Sequence, residues 1–170
     1  MIPILLLSFV CWLLFMVIKP DTEISEKKIM IYLAASVSKE KRESMLEAAK
    51  ILRDKGYDVW VPIEHPLPHS YLLPNNTWGK LTFDNDIKAI DECDFMVQIN
   101  YGREGTTAGT TFEQGYAYKA GKKILLVEMT NDEQSLMCAN GTHATVKGLE
   151  GLKNYDFETA PILNVDTIQK

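Results

Sequence analysis

The residues Gly109-Thr110-Thr111-Phe112-Glu113-Gln114-Gly115-Tyr116-Ala117 are those most able to do chemistry. The pattern predicts a glycine turn opening a helix, with a lone carboxylate, Glu113, in the helix's first turn. The positive end of the helix dipole favours an ionised carboxylate there, which is the state a nucleophile requires. The same residues also fit a capping box, with Thr110 as N-cap and Glu113 three positions on. Both readings stay open on this segment alone. The histidines His65 and His69 alternate with prolines and lack the spacing of a helical metal motif, so no metal is expected.

The elements around Glu113 favour a ligand site. A strand-like run, Phe95 to Ile99, is followed by a polar loop, Asn100 to Ala108. Strand, loop and helix start is the place where open α/β sheets hold ligands. Elsewhere, Lys28 to Ala34 reads as a buried strand and Tyr57 to Val61 as a second. Between them Ser38 is expected to cap a helix running to Lys55, with Met45, Ala48, Ala49 and Leu52 on one face and Gly56 as its stop. Pro62 to Lys80 is long and irregular, and is expected to fold over a pocket with Tyr71 or Trp78 stacking on a ring. Thr82 to Cys93 reads as a helix whose buried stripe is Phe83, Ile87 and Ile90, with Asp86 in its first turn. The aspartates Asp84, Asp91 and Asp94 read as solvated turn or helix-face residues. A helix from Thr110 to Ala120, a strand from Lys123 to Glu128, a short helix from Ser135 to Ala139, a strand from Ala144 to Lys147 and a helix from Leu149 to Tyr155 complete the pattern. Alternating strands and helices imply a parallel sheet with helices on both faces. The expected order is 2-1-3-4-5, flavodoxin-like, with the switch point between the first and third strands.

The chain has 170 residues and a formal net charge of −5. With no Lys or Arg cluster, that balance excludes general nucleic-acid binding, which needs a basic stripe. The three cysteines, Cys11, Cys93 and Cys138, lack metal spacing and read as free thiols of a reducing compartment. Residues 1–18 are uncharged and almost wholly apolar. As a helix they would span about 27 Å, barely a bilayer core. The first lysines follow this run, so residues 1–19 read as a membrane anchor with the remainder in the cytoplasm; a cytoplasmic protein without an anchor is the alternative. Residues 20–27 read as a linker, 28–157 as one domain and 158–170 as a tail.

The Gly109–Ala117 stretch resembles the nucleoside 2-deoxyribosyltransferase family, whose G-T-x-x-E-x-G-Y-A pattern carries a nucleophilic glutamate. Two further segments share the resemblance. Ile31-Tyr32-Leu33-Ala34-Ala35 is similar to the family's I-Y-L-A-G strand, and Phe83-Asp84-Asn85-Asp86-Ile87 to its helix with an N-D pair. Order and spacing agree over roughly residues 29 to 157. The resemblance implies deoxyribosyl transfer between nucleobases without a cofactor. Glu113 would attack C1′ of the sugar, Asp86 would contact or protonate the base, and Tyr32 would steer Glu113, with Ala34, Ala35, Thr107, Gly109, Thr110, Ser135 and Met137 around the substrate. It also implies a homo-oligomer.

Three positions depart from the family. Thr107 stands where an aspartate is frequent, Ser135 where an asparagine reaches a neighbouring subunit, and Ala35 where glycine is common. An N-glycoside hydrolase of a nucleotide or of NAD is therefore an alternative, with Arg103, Thr106 and Thr107 meeting the phosphate. A catalytically silent, membrane-tethered nucleoside-binding protein is another.

Overall fold

A computed structural model describes residues 28–163. The expected anchor and linker, and the last residues of the tail, lie outside them. Among the described residues, no helix is long and apolar enough to cross a membrane.

The elements are β1 (Met30–Ala34), α1 (Arg42–Asp54), β2 (Asp58–Trp60), α2 (Asn75–Glu92), β3 (Phe95–Asn100), α3 (Gly102–Gly105), α4 (Ala108–Lys119), β4 (Lys123–Glu128), α5 (Leu136–Asn140), β5 (Ala144–Lys147) and α6 (Gly148–Asn154). The five strands form one sheet in the order β2-β1-β3-β4-β5, all parallel, as the alternation of elements predicts. This is the flavodoxin-like fold. Strands covered on both faces are mostly apolar, with Gln98 and Asn100 of β3 as buried polar exceptions. β3 is buried at all of its positions and β1 nearly so.

Alternate residues of each strand enter two cores. On one face Ile31, Leu33, Val97, Leu125 and Val127 meet Met45, Ala48, Ala49 and Leu52 of α1 and Leu152 of α6. On the other, Tyr32, Ala34, Met96 and Ile124 meet Ala89 and Ile90 of α2 and Ala117 of α4. Each fully buried aliphatic side chain contributes roughly 1.5–3 kcal/mol. The second core carries the site, since it holds Tyr32 beneath α2 and α4. Gln114 of α4 is also buried, and its amide donates to the carbonyl of Cys138 at 2.8 Å, joining α4 to α5.

Several boundaries differ from expectation. α1 begins at Arg42, and Ser38 instead starts the preceding turn, accepting on its backbone oxygen from the amides of Lys41 and Arg42. α2 begins at Asn75, seven residues before the expected Thr82. Pro74 sets the entry, and the helix runs through Gly79 at a cost of about 1 kcal/mol. The Lys80–Asp84 ion pair lies along this added segment. The long irregular stretch thus shrinks to two single turns, Pro62–Glu64 and Ser70–Leu72, with their flanks.

The lengthened helix changes its residues' roles. Asp86 lies deep in the helix and not in its first turn, so no helix dipole acts on it. Phe83 is 46% exposed, leaving Ala89 and Ile90 as the buried positions of α2. Asp91 is exposed on its helix face as expected and accepts from the Tyr116 hydroxyl, whereas Asp94 accepts from the amide of Met30 at 2.9 Å and is partly buried.

The chain past Phe157 is also tied down. Phe157 is fully buried among Tyr57, Phe95 and Tyr155, all three in edge-on contact. Beyond it, the carbonyl of Leu163 accepts from the amide of Thr145 in β5 at 2.7 Å.

Candidate active site

Glu113 does not occupy a helix's first turn. α4 starts at Ala108, and Thr107 is its N-cap, accepting from the amide of Thr110 at 3.3 Å. The Thr107 and Thr110 hydroxyls also bond each other at 2.8 Å. The expected capping box on Thr110 and Glu113 is therefore absent. The carboxylate sits in the second turn, where it is free to point at the sheet.

It points at Tyr32. The tyrosine hydroxyl donates to Glu113 Oε1 at 3.0 Å, linking β1 to α4 across 81 positions of sequence. Burial pushes the Glu113 carboxyl up to about 7, opposed by the Tyr32 hydrogen bond and reinforced by the charge of Asp86. The expectation that the helix dipole holds Glu113 ionised is thus overturned. Desolvation outweighs it, because the group lies one turn inside the helix and out of water. Burial, followed by the Glu113 and Asp86 charges, drives the Tyr32 phenol far up, so it remains a neutral donor.

Asp86 reaches the same space from α2. Burial pushes its carboxyl up to about 6, and the neighbouring charge of His65 pulls it partly back. A cleft of about 270 Å³ lies between the two helices, lined by Phe83, Asp86, Ile87, Gly109, Phe112 and Glu113. The rings of Phe83 and Phe112 stand 5.8 Å apart, centroid to centroid, and both are about half exposed. The cleft is thus an apolar slot with two carboxyls. It suits a flat ring held by aromatic surfaces and a reacting atom held between acids.

Of the residues singled out from sequence, the structure brings together Tyr32, Asp86, Gly109 and Glu113. Thr107 and Thr110 do not line the cleft; their hydroxyls engage each other. Ala34 is wholly buried beside Gln98, and Ala35 packs against the α1-side core; neither lines the cleft. Ser135 is the N-cap of α5 and Met137 is 83% exposed, also away from the cleft lining. Tyr71 and Trp78 are exposed and do not line it either; Phe83 and Phe112 supply the ring surfaces instead. Phe112 was legible as the residue beside Glu113, but its exposure was not.

The expected phosphate donors do not line the slot: Arg103 lies in a separate cleft, facing Glu133 at 3.7 Å, and the Thr106 hydroxyl accepts from the amide of Tyr101 at 3.3 Å. Among the described residues, no group of three or more His, Cys, Asp or Glu side chains is arranged to hold a metal ion.

The fold is a parallel α/β sheet at whose switch point two carboxyls, Glu113 and Asp86, face an apolar slot. The family model of nucleoside 2-deoxyribosyltransferases matches residues 31–159. The chain belongs to that family, and it is a glycosyltransferase acting at N-glycosidic bonds. Among solved structures it is similar to a 2-deoxyribosyltransferase from Bacillus psychrosaccharolyticus, with 31% identity, a TM-score of 0.74, and coverage of 80% of this chain and 98% of that one. A CMP N-glycosidase from Clostridium botulinum shares the fold at 18% identity and a TM-score of 0.52, covering 72% of this chain and 93% of the other. A conserved protein from Enterococcus faecalis does so at 18% identity and a TM-score of 0.53, covering 74% and 98%. A comparison with curated proteins finds no match.

Proposed function

We propose that this protein moves a 2-deoxyribosyl group from one nucleobase to another through a covalent ester on Glu113. The observation that carries the reading is the Tyr32–Glu113 hydrogen bond facing Asp86 across the slot. Glu113 attacks C1′ as the C1′–N bond breaks. Positive charge grows on the sugar, and the electron pair leaves with the base. An acidic group beside the base supplies a proton, and the reverse sequence delivers the sugar to a second base.

With Glu113 near 7 and Asp86 near 6, the two groups share about one proton between those pH values, and at rest it lies mainly on Glu113. They titrate as a unit. The productive arrangement places that proton on the base side and leaves Glu113 ionised. Tyr32 favours this arrangement, because its hydroxyl bonds the charged form of Glu113 more strongly than the neutral form. A base lying against Asp86 favours it further by removing water from that carboxyl.

A nucleotide hydrolase would need donors for a phosphate at the rim. Arg103 lies in a separate cleft with the acidic residues Glu104, Asp132 and Glu133, and neither it nor Thr106 nor Thr107 lines the slot, which supports the nucleoside reading. The substrates are therefore free deoxynucleosides and free bases. Deoxyinosine with and without adenine tests this. Deoxyadenosine appearing only when adenine is present is the expected result, with Glu113→Gln inactive but folded. Release of free sugar at an equal rate in both mixtures would replace transfer by hydrolysis.

A further inference from the structure

Two half-exposed rings meet across the slot. Phe83 comes from α2 and Phe112 from α4, and both line it. Their centroids are 5.8 Å apart and their planes are inclined by 50°. A flat base sandwiched between two rings needs about 7–8 Å between parallel planes, because carbon atoms in contact stand about 3.5–4.0 Å apart. The pair is thus too close and too tilted to hold a base between its faces. A base can take the place between them only after a ring moves.

Each ring has somewhere to go. A side chain on a helix leans toward the helix N-terminus and covers the residues three and four positions before it. Three positions before Phe112 stands Gly109, and four before Phe83 stands Gly79. Both glycines lie inside helices, where glycine is a weaker former than alanine. The packing calls for neither. Gly102 and Gly105 each have another residue's atom 2.6 Å from where a Cβ would stand, whereas a Cβ on Gly79 would meet nothing within 4 Å and one on Gly109 only the Thr107 hydroxyl at 4.0 Å. Neither Gly79 nor Gly109 has a left-handed backbone. What the two share is a bare helix turn beneath a slot ring, a recess into which that ring can lie back.

We propose that Phe83 and Phe112 form a two-leaved gate that decides which acceptor reaches the sugar, a nucleobase rather than water. The inference rests on the transfer reading above. The departing and incoming bases use the slot in turn, with the deoxyribosyl ester on Glu113 waiting between them. The rings fold back over Gly79 and Gly109 while a base is present, and close to the contact seen here once it has left. Either acceptor forms a new bond to C1′. The C1′–O bond to Glu113 breaks, its electron pair returns to the carboxylate, and one proton passes to Asp86. Water is the smaller and more abundant acceptor, so an uncovered ester drains to free sugar. A planar base gains ring contact as it parts the gate, and water gains none.

The test measures how the sugar is divided. Deoxyinosine is turned over with adenine at a fixed concentration, and free deoxyribose is compared with deoxyadenosine. Phe83→Ala and Phe112→Ala should raise the ratio of free sugar to deoxyadenosine about three- to tenfold. Gly79→Ala and Gly109→Ala, which fill the recesses, should melt higher than the parent, as alanine in a helix does. They should nonetheless form deoxyadenosine about three- to tenfold more slowly. A ratio unchanged in both phenylalanine variants would overturn the proposal, as would glycine variants that exchange bases at the parental rate. General damage lowers both products alike and does not move the ratio. Thermal melts monitor folding, and where an alanine variant is unfolded, Phe83→Leu and Phe112→Leu decide in its place. If the parent makes no deoxyadenosine, the transfer reading itself fails. A crystal structure with saturating hypoxanthine then judges the gate separately: rings parted and laid over the two glycines support it, and rings still in contact, with or without a bound base, overturn it.

Discussion

Replacing Tyr32 by Phe removes one hydroxyl and leaves the ring that fills the core. The lost bond is the 3.0 Å contact from the phenol to Glu113 Oε1. A hydrogen bond to a charged group is worth about 1.5–3 kcal/mol, and one pKa unit is 1.36 kcal/mol. The carboxyl of Glu113, now near 7, should therefore rise by about one to two units, since the tyrosine is what lowers it against burial and Asp86. The nucleophile must be ionised, so activity falls as pH drops through this value. At pH 7 the ionised fraction would go from about one half to between about a tenth and a hundredth. The rate should fall roughly 5–50-fold from ionisation alone. The assay is kcat/KM against pH on 4-nitrophenyl 2-deoxyriboside, where no proton is needed on the leaving group and only Glu113 is read. Its acidic limb should move upward in Tyr32→Phe, and at high pH the rate should return to within severalfold of the parent. A limb that stays within about 0.3 units, or moves down, would refute the claim that Tyr32 selects the charged carboxylate.

Glu113 also shapes stability. Its folded value is raised from 4.5 to about 7, so its contribution to stability is full below pH 4.5 and is lost as pH climbs through 7. Ionising it in place costs up to about 3 kcal/mol; inactive Glu113→Gln should therefore melt higher than the parent at pH 8 and show little gain at pH 4.5, and an equal gain at both would exclude the carboxyl as cause. Thr107→Ala removes the α4 cap and should cost about 1 kcal/mol in denaturant unfolding; no loss would mean the cap is replaced by water. Phe83→Ala and Phe112→Ala truncate half-exposed rings of the slot, so KM should rise severalfold while stability changes by less than about 1 kcal/mol. A large stability loss would place those rings in a core instead. Gly102 has φ of +81°, and a Cβ there would lie 2.6 Å from Cβ of Asp132, so Gly102→Ala should destabilise by about 1–3 kcal/mol; a neutral result would show that this loop shifts freely.

The order of the sheet was legible because each strand is a short apolar run flanked by turn signals, and alternation with helices leaves few topologies. Tyr32, Asp86 and Glu113 were found through short motifs whose order and context agree. Helix starts were the weak point. Pro74 and Thr107 begin α2 and α4, yet Thr82 and Thr110 looked equally able to do so, because a threonine before an apolar run is common. That single error carried a physical mistake with it. A carboxylate assigned to a first turn appears stabilised by the dipole, whereas one turn further in it is governed by burial.

The cap at Thr107 bears on how such enzymes diversify. Aspartate caps a helix at least as well as threonine, so either residue at this position leaves the fold equally well begun. An exchange here would leave the start of α4 intact while adding a negative charge beside Gly109, which lines the slot, so the helix start can be kept while the electrostatics next to the slot change.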